Sequence, residues 1–257
     1  MKLFNKVFSG GGKPLIILHG LLGSSSNWLS MGRRLGEIYT AYVLDLRNHG
    51  FSPWSDIMDY PSMADDIREF IQNSGFDKAS VLGHSMGGKT AMEFALSFPE
   101  RCEKLIVLDI RPEAYDPVYE NIFPALEDID VSALSSRSEA DRILESRIPD
   151  KLLRLFLLKN LYRDENGVFH WKVNIRGLSE NYDSIWAPVL KKGRTYPGPA
   201  LFLRGEQSDY LKEEDMDSIR RLFPAAVCKT VSKAGHWLHA DNPDELFLYI
   251  TEFLNNE

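Results

Sequence analysis

Two kinds of apolar spacing alternate along this chain. Short runs in which nearly every position is apolar read as buried strands: "PLIILHG" (14–20), "AYVLDL" (41–46), Lys78–Leu82, "KLIVLDI" (104–110), "PALFLRG" (199–205) and "AVCKTVS". Between them the spacing becomes helical. A helix is predicted through Trp28–Ile38, and another over "PSMADDIREFIQNSG", with Pro61 in its first turn and Gly75 at its end. Ala91, Phe94, Ala95 and Phe98 recur at i, i+3, i+4 and i+7 until Pro99 stops the pattern. Further helices are predicted around Glu213–Phe223 and from Pro243 to Leu254. Strand–helix alternation of this kind implies an α/β fold, a mostly parallel central sheet flanked by helices. Ligands in such sheets bind beyond the carboxyl ends of the strands.

Residues 112–195 break the rhythm with Asp/Pro turns, the helix-like "DKLLRLFLLKNL" and the hairpin-like "GVFHWKVN". That is too long for a simple connection. The expected organisation is a core of residues 1–111 and 196–257, with 112–195 inserted as a mainly helical cap before the strand at 199–204.

Composition narrows the partners. A net charge of −7 gives no basic surface for nucleic acid or anionic membranes, so neither is an expected partner. No stretch has the length of a signal peptide's apolar region or of a membrane span, and a cytoplasmic location is the expectation. Two cysteines are too few for a disulfide scaffold; Cys228, alternating with apolar neighbours, reads as a buried free thiol. Neither metal-ligand spacing nor a P-loop is found, since "GHSMGGKT" lacks the required interval, so Lys89 is expected on a helix face and no metal or cofactor is expected.

The chemistry-bearing stretch is Gly83-His84-Ser85-Met86-Gly87, a G-x-S-x-G with a strand before it and a helix after it. So abrupt a reversal strains the backbone at the serine and holds its hydroxyl clear of the sheet, above a helix amino terminus where negative charge is favoured. A serine hydroxyl needs a base to become a nucleophile. Of six histidines, His236 and His239 fall in "KAGHWLHADNPDE", a loop opening on the same sheet edge as Ser85. His236, just after a glycine, is the expected base. His239 is expected to brace the loop or cap the last helix, His84 to point away, and His19 and His49 to be structural. An oxyanion would be met by the Met86 N–H and by Leu21, with Leu22 as the alternative, from "HGLLGSSSNW".

With these segments in place the chain resembles the α/β-hydrolases, and more narrowly the YbfF-type bacterial esterases and their abhydrolase-domain relatives. "LHGLLGSSSNW", "VLDLRNHGFSP", "YPSMADDI", "GHSMGGKTAM", "LIVLDIRP" and "AGHWLHADNPDE" carry the likeness almost end to end. It implies hydrolysis of carboxylic esters or thioesters of small acyl groups, acyl-CoA included, by a serine nucleophile without cofactor. The third triad member is open at this level. Many α/β-hydrolases carry G-x-x-D after the strand "PALFLRG", but counting from Gly205 reaches Ser208, with Asp209 one residue late. The YbfF-type resemblance implies that the acid is Asp109, ending "LIVLD", with Ser208 adding a hydrogen bond on the histidine side; Asp209 stands as the alternative.

Among the aromatics expected in the cap (Tyr115, Tyr119, Phe123, Phe156, Trp171 and Trp186), Tyr115 and Phe123 are the expected pocket residues, and Arg111 the expected contact for an anionic group or a salt bridge within the cap. A carbon–carbon hydrolase or lyase on the same fold, or a hydrolase-fold binding protein with little turnover, would carry the same constellation.

Overall fold

The computed structural model describes residues 1–116, 121–189 and 193–256. Its first half comprises β1 (Asn5–Ser9), β2 (Pro14–Leu18), α1 (Leu29–Gly36), β3 (Thr40–Leu44), α2 (Tyr60–Asn73), β4 (Ala79–His84), α3 (Met86–Ser97) and β5 (Cys102–Leu108). There follow α4 (Ile122–Glu127), α5 (Arg137–Glu145), α6 (Lys151–Leu157), the hairpin β6 (Leu161–Arg163) and β7 (Phe169–Trp171), α7 (Ile175–Glu180) and α8 (Tyr182–Trp186). The chain then resumes with β8 (Ala200–Gly205), α9 (Met216–Leu222), β9 (Ala226–Val231), α10 (Leu238–Asp241) and α11 (Pro243–Asn255).

Seven strands form one sheet in the order β1-β3-β2-β4-β5-β8-β9. All neighbours are parallel except β1, which pairs antiparallel with β3 at the edge. β1 escapes the apolar-run criterion because its side chains are all partly or fully exposed, as befits an edge strand. Successive residues of β2 face opposite ways: Leu15 and Ile17 pack with α1 and α11, and Ile16 and Leu18 with α2 and α3. The sheet thus has a core on both faces, which is why its strands read as continuous apolar runs.

β5 and β8 are adjacent in the sheet although residues 109–199 separate them, so the chain leaves and re-enters at one place. Val189 N–H bonds the Pro112 carbonyl (2.7 Å) and Tyr115 N–H the Trp186 carbonyl (3.2 Å), closing the base of this excursion. Cys102 is buried and Cys228 half-buried; both are free thiols, and Cys228 differs from expectation because β9 is the last strand of the sheet. No helix among the described residues is long and apolar enough to cross a membrane.

Candidate active site

Ser85 is the residue between β4 and α3, at φ 53° and ψ −121°. A non-glycine residue there carries strain of roughly 1–3 kcal/mol, which the surrounding packing must hold. Two glycines allow the turn: a Cβ on Gly83 would lie 2.1 Å from the Gly87 carbonyl oxygen, and one on Gly87 would lie 2.5 Å from the His19 oxygen. Both obstacles are backbone. Gly87→Ala is therefore expected to destabilise the fold by about 3 kcal/mol, read as a fall in the urea unfolding midpoint. An unchanged midpoint would mean that the turn relaxes freely.

Asp109 follows β5, itself at φ 51° and fully buried. Its carboxylate accepts the Gly205 N–H at 3.0 Å, the Ser208 hydroxyl, and the His236 Nδ1–H at 2.8 Å. Ser208 thus meets the carboxylate, not the imidazole. Asp209 points elsewhere: its side chain is 96% exposed and pairs with Lys212 at 3.5 Å. In the loop after β8 Ser208 reaches the buried carboxylate, and Asp209, the next residue, faces out.

His236 and Ser85 line one cleft. Tyr210 stacks on the His236 ring (centroids 3.9 Å apart), and His84 donates from Nε2 to the His236 carbonyl at 2.8 Å. His84 therefore turns beneath the His236 loop instead of away from the site. Burial, with His236 and His239 beside it, holds its pKa well below the usual histidine range, so it serves as a neutral donor. Adjacency to Ser85 carried no hint of this, because the partner lies 152 residues on.

The loop after β2 is pinned by histidines. His19 accepts the Leu46 N–H (3.0 Å) while its Nδ1 donates to the Gly20 carbonyl (2.8 Å). His49 accepts the Leu22 N–H at 3.1 Å and donates from Nδ1 to the Arg47 carbonyl. Leu22, the alternative oxyanion donor, is therefore occupied. The Leu21 N–H has no hydrogen-bond acceptor among the described residues. Met86 N–H begins α3, where a helix leaves its first amides without intrahelical partners.

Of the expected pocket residues, Tyr115 lies beside Ser85, its hydroxyl donating to the Tyr210 carbonyl. Phe123 does not: it is 2% exposed and packs edge-on against Tyr182, so its size serves the interior of the excursion. Arg111 stacks over the Tyr115 ring at 4.3 Å, and no ion pair of its guanidinium is found among the described residues. Tyr119 lies outside the described residues. Lys89, expected on a helix face, lies in α3 and is 2% exposed. Four residues after Ser85, it shares the serine's side of the helix and points under the site.

The buried histidines set an acid limit on stability. Burial and the neighbouring His19 depress His49 to about 3, and burial with His236 nearby depresses His239 to about 4. Below the ordinary value of 6.5 the unfolded chain binds protons that the folded chain refuses. Stability contributed above pH 6.5 is then lost on acidification, by at most about 1.4 kcal/mol per pH unit for each such histidine. The urea midpoint is expected to be lower at pH 5 than at pH 7, and the gap to narrow in His239→Gln.

Residues 13–243 match the sequence model of a family described as the alpha/beta hydrolase fold. The chain belongs to the α/β-hydrolase family. It is 39% identical over 257 residues to the sn-1-specific diacylglycerol lipase ABHD11 of Xenopus tropicalis, covering 96% of this chain and 80% of that one. To esterase YbfF of Escherichia coli K12 it is 33% identical over 246 residues, covering 95% and 93%. A solved structure described as a marine microorganism esterase superposes with a TM-score of 0.95 at 42% identity, covering 98% of this chain and 99% of that one. Within this α/β-hydrolase, the serine turn, the buried carboxylate and the histidine loop all stand at the carboxyl edge of the sheet, where the fold's topology leads one to look.

Proposed function

We propose that this α/β-hydrolase is a serine esterase, cleaving carboxylic esters or thioesters of small acyl groups through an acyl-enzyme intermediate. The carrying observation is the Asp109–His236 contact at 2.8 Å on the rim of a cleft that also holds the strained Ser85. The esterase and lipase relatives support the same reaction class.

In this reading the buried Asp109 carboxylate keeps the proton on His236 Nδ1, leaving Nε2 free to take the Ser85 proton. Ser85 Oγ attacks the acyl carbonyl, and the oxyanion is received by the Leu21 and Met86 amides, each contributing roughly 3 kcal/mol to the transition state. His236 returns its proton to the departing alcohol or thiol as that bond breaks. Water, deprotonated by His236 in turn, then attacks the acyl-serine, and His236 gives that proton to Ser85 Oγ as the acyl–oxygen bond breaks and the carboxylic acid leaves. Ile122, Leu153, Phe156 and Leu157, from the described part of 112–195, line the cleft and act as its cap in this scheme.

Steady-state hydrolysis of p-nitrophenyl butyrate tests the reading. Turnover that disappears in Ser85→Ala is the expected result; wild-type protein inert towards oxygen esters and thioesters alike would defeat it.

A further inference from the structure

Ser85 stands between two cavities, not in one. The cleft described above, enclosing about 570 Å³ of space partly open to solvent, is lined by Trp28, His236, Trp237, His239, Leu153 and Phe156. Beside it is a chamber, about 340 Å³ of space likewise partly open to solvent, walled by Tyr60, Tyr115, Ile185, Trp186 and Tyr210 and floored by Lys89. Leu21 and Ser85 border both, whereas Met86 lines the chamber and His236 lines the cleft.

Their chemistry separates them, if the esterase reading holds. A tetrahedral carbon on Ser85 Oγ has three other substituents. The oxyanion turns to the Leu21 and Met86 amides, and the leaving heteroatom must come within hydrogen-bond reach of His236. The leaving group is then directed into the cleft, which has the histidine on its wall. One direction remains for the acyl substituent, into the chamber.

The floor of that chamber is held at both roots of the excursion. Lys89 Nζ donates to the Glu113 carbonyl, where the chain departs, and to the Ala187 carbonyl, where it returns, both at 2.8 Å, with the Trp186 carbonyl at 3.5 Å. Its Nζ sits 5.0 Å from the Tyr115 ring centroid and 5.7 Å from that of Tyr60. The Tyr60 hydroxyl fixes the wall through the Ile185 carbonyl. Pushing the floor back to admit a longer chain would take the Lys89 donor away from the part-buried Glu113 and Ala187 carbonyls. A closed end held by main-chain acceptors is stiffer than one made of apolar side chains, which can change rotamer.

We propose that the Lys89 chamber is the acyl pocket and limits the enzyme to short acyl chains, while the Trp28 cleft receives the leaving group. Lys89 is a positioning residue in this scheme: it touches no reacting atom, and it fixes the depth of the pocket by tying both roots of the excursion to α3, the helix that follows Ser85.

The test varies one half of the substrate at a time. p-Nitrophenyl esters from acetate to decanoate probe the acyl side, and butyrate esters of alcohols of increasing size probe the other, with wild type, Lys89→Met, Ile185→Ala and Phe156→Ala. Wild-type kcat/KM is expected to fall at least about tenfold from butyrate to octanoate. Ile185→Ala, which deepens the chamber, should narrow that ratio to about threefold or less by raising octanoate turnover. Lys89→Met should act in the same direction if it folds. Phe156→Ala should alter the ranking of alcohols and leave the butyrate-to-octanoate ratio within about twofold of wild type.

Octanoate or dioleoylglycerol cleaved as fast as butyrate by wild type would overturn the assignment. So would an acyl ratio that responds to Phe156→Ala and not to Ile185→Ala, which would interchange the two cavities while hydrolysis itself persisted. Absence of hydrolysis across the whole panel is a different failure, that of the esterase reading, and it would take the assignment with it.

Discussion

Ser85→Ala is expected to lower kcat for ester hydrolysis by about a millionfold, while leaving the urea unfolding midpoint close to that of wild type. The two halves of that expectation have separate causes. The hydroxyl would be the nucleophile, and without it Asp109, His236 and the Leu21 and Met86 amides can only orient a substrate towards water, which leaves residual catalysis of about a thousandfold or more over solution. Stability is spared because the Ser85 side chain has no hydrogen-bond partner among the described residues, so its removal strands no buried group. The main-chain bonds of the turn survive, Ser85 N–H to the Leu108 carbonyl at 3.1 Å and Lys89 N–H to the Ser85 carbonyl at 3.0 Å. Steady-state rates alongside urea titrations would check both. Retention of more than about a hundredth of the wild-type rate would remove Ser85 from the chemistry.

Asp109→Asn should cost about ten-thousandfold in kcat, and Asp209→Asn less than about twofold. An asparagine at position 109 still accepts the Gly205 N–H through its oxygen. Its amide nitrogen then faces His236 Nδ1 and can only donate, which forces the ring proton onto Nε2, the atom that has to accept from Ser85. The lesion is one of tautomer as much as charge. Asp109 is also fully buried among three donors, so a loss of stability is expected with the loss of rate, and unfolding data should accompany the kinetics. Asp209, 96% exposed with Lys212 as its partner, makes a surface pair worth little. Collapse in Asp209→Asn with Asp109→Asn active would require the loop after β8 to reverse its facing, and would break the proposed mechanism.

The fold was legible because it is written in local periodicity. β2, β4, β5 and β8 are buried on both sides and hence apolar at almost every position, and Pro61 and Pro99 mark helix ends by chemistry that needs no partner. β1 was illegible for the matching reason: an edge strand with exposed side chains has no pattern to distinguish it. Aromatic content in 112–195 could not separate Tyr115, beside Ser85, from Phe123, buried against Tyr182, because both residues are large and aromatic and differ in the direction they face.

What the sequence by itself determined is the strand–turn–helix that isolates Ser85, the α/β architecture, and the edge of the sheet at which a site would lie, since turns, caps and apolar spacing act over a few residues. Tertiary structure alone decided which carboxylate meets His236, that the Leu22 amide is taken by His49, that His84 braces the His236 loop, and that Lys89 is buried between the two roots of 112–195. Each of these is a contact between groups 24 to 152 residues apart. Such contacts depend on the direction a side chain takes after the chain has closed on itself, and no local periodicity encodes that direction.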